Sequence, residues 1–125
     1  MDCISLTTAP KLPVTTLVDY CYYGMFTGCT SLISAPELPA TTLVYECYQM
    51  MFYDCTSLNY IKCLATDISA TGCTTNWIEG VAQQGIFVKG NNANWSSKTG
   101  NNGIPSDWEV HTENEYKEVR NYELT

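Results

Sequence analysis

This chain is short of the residues on which most catalysis and nucleic-acid binding depend. It has one histidine, His111, and only six lysines and arginines against 13 acidic residues, for a formal net charge of −7. With no basic stripe to neutralise phosphates, nucleic acid is not an expected partner. No apolar run approaches the ~20 residues that a bilayer-crossing helix needs, so no membrane span is expected. The opening "MDCISLTTAP" lacks the positive flank and apolar stretch of a secretion signal, so any signal has been removed, lies upstream in a longer parent, or never existed. Seven cysteines stand at 3, 21, 29, 47, 55, 63 and 73 without one C-x-x-C pair. Zinc knuckles and dithiol redox sites need such close pairs, so neither a metal nor a cofactor is expected. A Ser-His-Asp or Cys-His mechanism needs an imidazole held against a partner, and His111 reads as solvated beside Thr112 and Glu113. The carboxylates Asp19, Glu37, Glu46, Asp54 and Asp67 are scattered, without the fixed pair a glycosidase requires. "GNNANWSSKTGNNG" lacks the Gly-Lys-Ser/Thr ending of a phosphate loop. The chain is not expected to be an enzyme.

What it has is a repeat. Aligned without gaps at a period of 26, residues 3–28 and 29–54 agree at 15 of 26 positions, and residues 55–80 agree with the second copy at six. Columns run through all three copies: Cys3, Cys29, Cys55; Leu6, Leu32, Leu58; Leu12, Leu38, Leu64; Cys21, Cys47, Cys73. Apolar columns retained while other letters drift indicate stacked units that cannot bury their own faces alone. Within a unit, "CTSLISAPEL" suits a short strand that Pro36 ends. In "TTLVYECYQMMFYDC", Leu43, Cys47, Met51 and Cys55 recur every four residues, which predicts a helix capped by Thr41 or Thr42 after Pro39. A further helix is expected around Asn76–Ala82 and a last strand at Ile86–Lys89. The expected fold class is an α/β repeat solenoid, leucine-rich-repeat-like, with short parallel strands on one face and short helices on the other. It would occupy residues 1–90, followed by a carboxy-terminal Asn/Gly/Trp-rich cap at 91–110 bracketed by Trp95 and Trp108, and an acidic tail at 111–125. The first unit begins partway, so its uncapped amino-terminal edge is a candidate for self-association, or the chain is a piece of a longer array.

Most cysteines fall in the inward columns, where a reduced thiol behaves as a small hydrophobe; disulfides between rungs are the alternative. Cys63 aligns instead with Lys11 and Glu37, a polar column, and is expected to be the exposed thiol. Tyrosine is the enriched surface candidate, since amphipathic rings favour interfaces and can stack on sugars. Tyr22 and Tyr48 share a column and are expected to pack between rungs. Tyr23, Tyr45 and Tyr53 face variable columns and form the candidate binding surface, joined by the strand column Thr8, Ser34 and Tyr60.

The words "MFTGCTSL" (Met25–Leu32), "MFYDCTSL" (Met51–Leu58), "SAPELPATTL" (Ser34–Leu43) and "NNGIPSDWEV" (Asn101–Val110) resemble the BspA-like leucine-rich repeats of surface and secreted proteins from Bacteroides-type gut bacteria. The Met-Phe-x-x-Cys-x-Ser-Leu word is also similar to the DUF285-type repeats of mycoplasma surface lipoproteins. The resemblance implies export, cell-surface display and adhesion-like binding of protein or glycan on a host or neighbouring cell, and it brings no catalytic residues. The alternative is a set of structural spacer rungs with no ligand of their own.

Overall fold

The computed structural model describes residues 16–93, 95 and 100–117. The stretches expected to be helical are runs of tight turns, at 19–28, 45–54 and 71–80. In the middle run, the amides of Cys47, Gln49, Met51, Tyr53 and Cys55 each bond to the carbonyl three residues back. The amides between them point out of the run. Those of Glu46, Tyr48, Met50, Phe52 and Asp54 donate to the carbonyls of Thr71, Cys73, Thr75, Trp77 and Glu79 at 2.7–3.1 Å. The first run does the same towards the second, from Tyr20 onto Tyr45 through to Gly28 onto Tyr53. Every fourth residue takes positive φ: Tyr20, Gly24, Gly28; Glu46, Met50, Asp54; Gly72, Asn76, Gly80. A right-handed helix cannot contain such residues.

The four-residue turn explains the misleading stripe. It buries adjacent pairs, Cys47 with Tyr48 and Met51 with Phe52, then Cys55. These are the positions a strict i, i+4 reading selects, whereas a helix facing a core mixes spacings of three and four.

The sheet is small. Strands β1 (Tyr60–Cys63), β2 (Ile86–Lys89) and β3 (Glu109–Thr112) pair in parallel in the order β1-β2-β3. Ile61, Phe87 and Val110 stand in one register row, and Lys62, Val88 and His111 in the next. Among the described residues, isolated parallel bridges continue the pairing beyond β1, from Ser34 to Tyr60, Leu38 to Cys63 and Thr42 to Asp67. Pro36, which has no amide to donate, sits between the first two. The expected α/β leucine-rich-repeat-like solenoid is therefore corrected: the described residues form a three-stranded parallel sheet with hydrogen-bonded turns and one short helical stretch at 113–117, and the turn runs stand where a face of repeated helices was expected.

The bridges also correct the gapless alignment. Ser34 pairs with Tyr60 at an offset of 26, but Leu38 with Cys63 and Thr42 with Asp67 at 25. The amide of Glu46 bonds to Thr71, which restores 26 for Glu46 and Gly72. One residue is lost beside Lys62 and one regained between Ile68 and Gly72. The column joining Leu38 to Leu64 is thus displaced; Leu38 faces Cys63, and Leu64 is half-buried.

The interior holds Leu32, Leu38, Leu58, Ile61 and Phe87 with an aromatic column. Tyr22 stacks on Tyr48 at 6.1 Å, Tyr48 on Trp77 at 5.9 Å and Trp77 on Trp95 at 5.7 Å, with interplanar angles of 19°, 9° and 8°. Around this end of the column, Trp77 Nε1 donates to Gly103 O at 2.8 Å and Trp108 Nε1 to Ala82 O at 2.8 Å. Asn102 receives Thr74 Oγ1 on its carbonyl and the Asn76 amide on its side chain. Strand β3 runs across the expected boundary at 110/111, so residues 111 and 112 belong to the sheet.

Candidate functional site

Of the six surface candidates, Tyr23 and Tyr45 are linked through a third ring, Tyr20, that the alignment did not single out. Tyr20 meets Tyr45 edge-on at 5.4 Å and Tyr23 at 6.2 Å. Tyr20, Tyr23 and Tyr45 are 53%, 46% and 41% exposed, so these are outward-facing rings rather than core. The backbone explains the meeting: the Tyr20 amide bonds directly to Tyr45 O, and the Tyr23 amide closes a turn on Tyr20 O. Tyr23 Oη reaches Met50 Sδ at 4.0 Å, and Thr27 Oγ1 donates to Met50 O at 2.7 Å. A hydrogen bond with Tyr45, then desolvation, then the charge of Glu46 push the Tyr20 phenol up to about 12. Val18, just before this run, and Met25 on it are exposed as well. Tyr53 is half-buried and, among the described residues, makes no ring contact with this patch.

The strand column does not extend the patch. Thr8 lies outside the described residues. Ser34 is half-buried and bridges Tyr60. Tyr60 packs its ring on Tyr116 at 5.7 Å. Beside it, Lys62 Nζ lies 3.0 Å from Glu113 and 3.4 Å from Glu37. Burial pulls the Lys62 ammonium down, but the two carboxylates outweigh it and hold it above its ordinary value. The expected edge for self-association also lies outside the described residues.

Cys63 is a correction: it is 0% exposed. The one-residue slip takes it from the Glu37 column to the Leu38 column, and in a strand such a slip reverses the face a side chain takes. Lys62 takes the polar place, as its ion pair with Glu37 shows. Burial pushes the Cys63 thiol up to about 12, and does the same to Cys47. Cys21 is half-buried, the most accessible of the described cysteines.

His111 is not solvated as its neighbours suggested. Its Nε2 lies 3.2 Å from Glu109, and its ring packs 6.1 Å from Tyr116. Among the described residues no cluster of three or more His, Cys, Asp or Glu could hold a metal ion, and no helix is long and apolar enough to cross a membrane. A cleft of about 150 Å³ lies between the third turn run and the 100–107 segment, lined by Gly80, Gln83, Asn101, Ser106 and Asp107. It is below the several hundred Å³ of a typical small-molecule site.

The residues that sequence reasoning missed are Tyr20 and Tyr116. Tyr20 aligns with Glu46, so no column marks it; its signal is diagonal, one residue off Tyr45 in the next copy. Against known families, curated proteins and solved structures, the chain finds no match.

Proposed function

We propose that this chain is a non-catalytic interaction module that presents the Tyr20–Tyr23–Tyr45 patch to a protein or glycan. The observation that carries the reading is the patch itself: three exposed rings, with Tyr20 meeting both Tyr23 and Tyr45, on backbone fixed by hydrogen bonds between turn runs. Rigid aromatic surface of this kind binds with little conformational entropy to lose, and phenol hydroxyls at its margin can pair with sugar hydroxyls or peptide groups. The resemblance to BspA-like repeats supports an adhesion-like role at the cell surface or outside the cell. A patch of three rings is small beside a standard interface, so single-site affinity is weak and multivalent display is its natural setting.

The alternative is a structural spacer. It is favoured by the fate of the other rings, because Tyr22, Tyr48, Phe26 and Phe52 stack against one another between neighbouring runs. The two readings separate on one experiment. The chain and a Tyr20→Ser/Tyr23→Ser/Tyr45→Ser variant are displayed multivalently on beads and applied to a glycan array and to cultured cells. Binding that falls about tenfold or more in the variant, with unfolding unchanged within about 1 kcal/mol for exposed positions, supports the patch. Equal binding, or none by either protein, removes it and leaves the spacer.

A further inference from the structure

Val88 is 1% exposed, yet it stands apart from the main core cluster. Its neighbour Phe87 faces that core against Trp77 and Trp95. Strand alternation therefore sends Val88 to the opposite face of the sheet. There it lies in register between Lys62 and His111.

What lies against this face is the chain's own continuation. Strand β3 ends in Thr112, whose amide donates to Glu115 Oε1 at 3.0 Å while its hydroxyl oxygen accepts the Glu115 amide at 3.3 Å. This reciprocal pair is a capping box, which turns the backbone into a helical turn at 113–117. The turn doubles back onto the sheet as a strap. Glu113 takes Lys62 at 3.0 Å, the Tyr116 ring meets Tyr60 and His111, and the Asn114 amide donates to Asn91 Oδ1 at 2.9 Å.

We propose that the sheet face around Tyr60, Lys62, Val88 and His111 is a docking site for an acidic segment of a partner protein, one carrying a tyrosine three residues after a glutamate. Residues 113–117 are its built-in competitor. The chemistry of the occupant is read from the face. Lys62 is a cation already held between two carboxylates, so it selects an acid. Tyr60 and His111 flank a buried valine and together receive one aromatic ring. The contacts that hold the strap include an ion pair still reached by water, two ring contacts and one amide bond, which a segment of the same chemistry can replace in trans. A site occupied in cis lowers the apparent affinity for a free ligand by the fraction of time it is closed. This face is separate from the tyrosine patch, and neither reading depends on the other.

The test uses the full chain and a Glu113→Gln/Tyr116→Ala variant, with a fluorescein-labelled peptide TENEYKE as probe and fluorescence anisotropy as readout. The peptide is expected to bind the variant about tenfold or more tightly than the parent, the factor expected for a strap closed at ten to one. A peptide TQNEAKE, lacking both contact groups, is expected to bind neither. Adding Lys62→Glu to the variant is expected to abolish binding of TENEYKE and to admit TKNEYKE, a gain that an unfolded protein could not show. Equal affinity of parent and variant, no binding by the variant, or failure of the charge-swapped pair overturns the proposal. A dimer of the parent chain that the Glu113→Gln/Tyr116→Ala change dissolves would assign the occupant to a second copy and also overturn it.

Discussion

Gly85 sits where three segments of backbone meet, and replacing it with alanine is the most direct test of how they pack. A Cβ there would lie 2.5 Å from Asn59 O, 2.9 Å from Asn59 C and 2.7 Å from Trp108 Cε2. Two of these atoms are main chain and the third belongs to a ring held by its bond to Ala82 O, so none is a flexible end that can swing aside. Asn59 O already accepts the Ile86 amide at 2.9 Å, and Gly85 O accepts the Glu109 amide at 2.9 Å. Relieving the clash therefore opens the start of both β-pairings. Overpacking of this kind costs about 1–3 kcal/mol, and each strained or lost hydrogen bond adds about 1 kcal/mol. We expect Gly85→Ala to destabilise the chain by about 3 kcal/mol. At the usual unfolding entropy per residue, that lowers the Tm by about 11 °C for a chain of this length. Gly100→Ala is the control, because a Cβ there meets nothing within 4 Å and only its φ of +70° opposes a side chain. It should cost about 1–2 kcal/mol. Urea unfolding with unchanged slope measures both. If Gly85→Ala is as stable as the parent, or costs less than Gly100→Ala, the close approach of β1, β2 and Trp108 is refuted.

Two further outcomes follow from the thiols and from the capping box. Brief alkylation of the folded protein at pH 8, read by site-resolved mass spectrometry, should label Cys21 well before Cys63 and Cys47, whose thiols are buried and pushed up to about 12; labelling of Cys63 first would refute the one-residue slip. The bonds from Thr112 hold Glu115 below its ordinary value of 4.5, so its contribution to the strap is present above that value and is lost as pH falls through the lower one. The Thr112 amide resonance should accordingly titrate with a midpoint below 4.5 and cease to do so in Glu115→Gln, whereas a midpoint at or above 4.5 would count against the box.

The sequence carried more of the pairing than of the local structure. The apolar run Ile86–Val88, closed by Gly90, is legible as a strand because β propensity and a turn residue agree there. The turn runs are not legible by helical periodicity. A repeating four-residue turn and a helix both bury every fourth side chain, and the deciding letters are the glycines at 24, 28, 72 and 80. Those columns hold Tyr20, Glu46, Met50, Asp54 and Asn76 elsewhere, which hides the left-handed requirement. The inward place of Cys63 is legible in the letters around it. Sliding the third copy by one residue places Ala65 on Ala40, Thr66 on Thr41 and Ile68 on Leu43, a better match than the gapless one. "TENE" at 112–115 is a capping box in plain sight, obscured because its acids look like a solvated tail. Tyr20 and Tyr116 act through neighbours from other segments, and no column in a linear alignment records that.

The aromatic column has an optical consequence. Tyr22, Tyr48, Trp77 and Trp95 form near-parallel rings about 6 Å apart, with tyrosine at one end and indole at the other. Light absorbed by the phenols should migrate to the indoles before it is re-emitted. The colour of the emitted light would then report, without any label, whether the turn runs remain seated on one another.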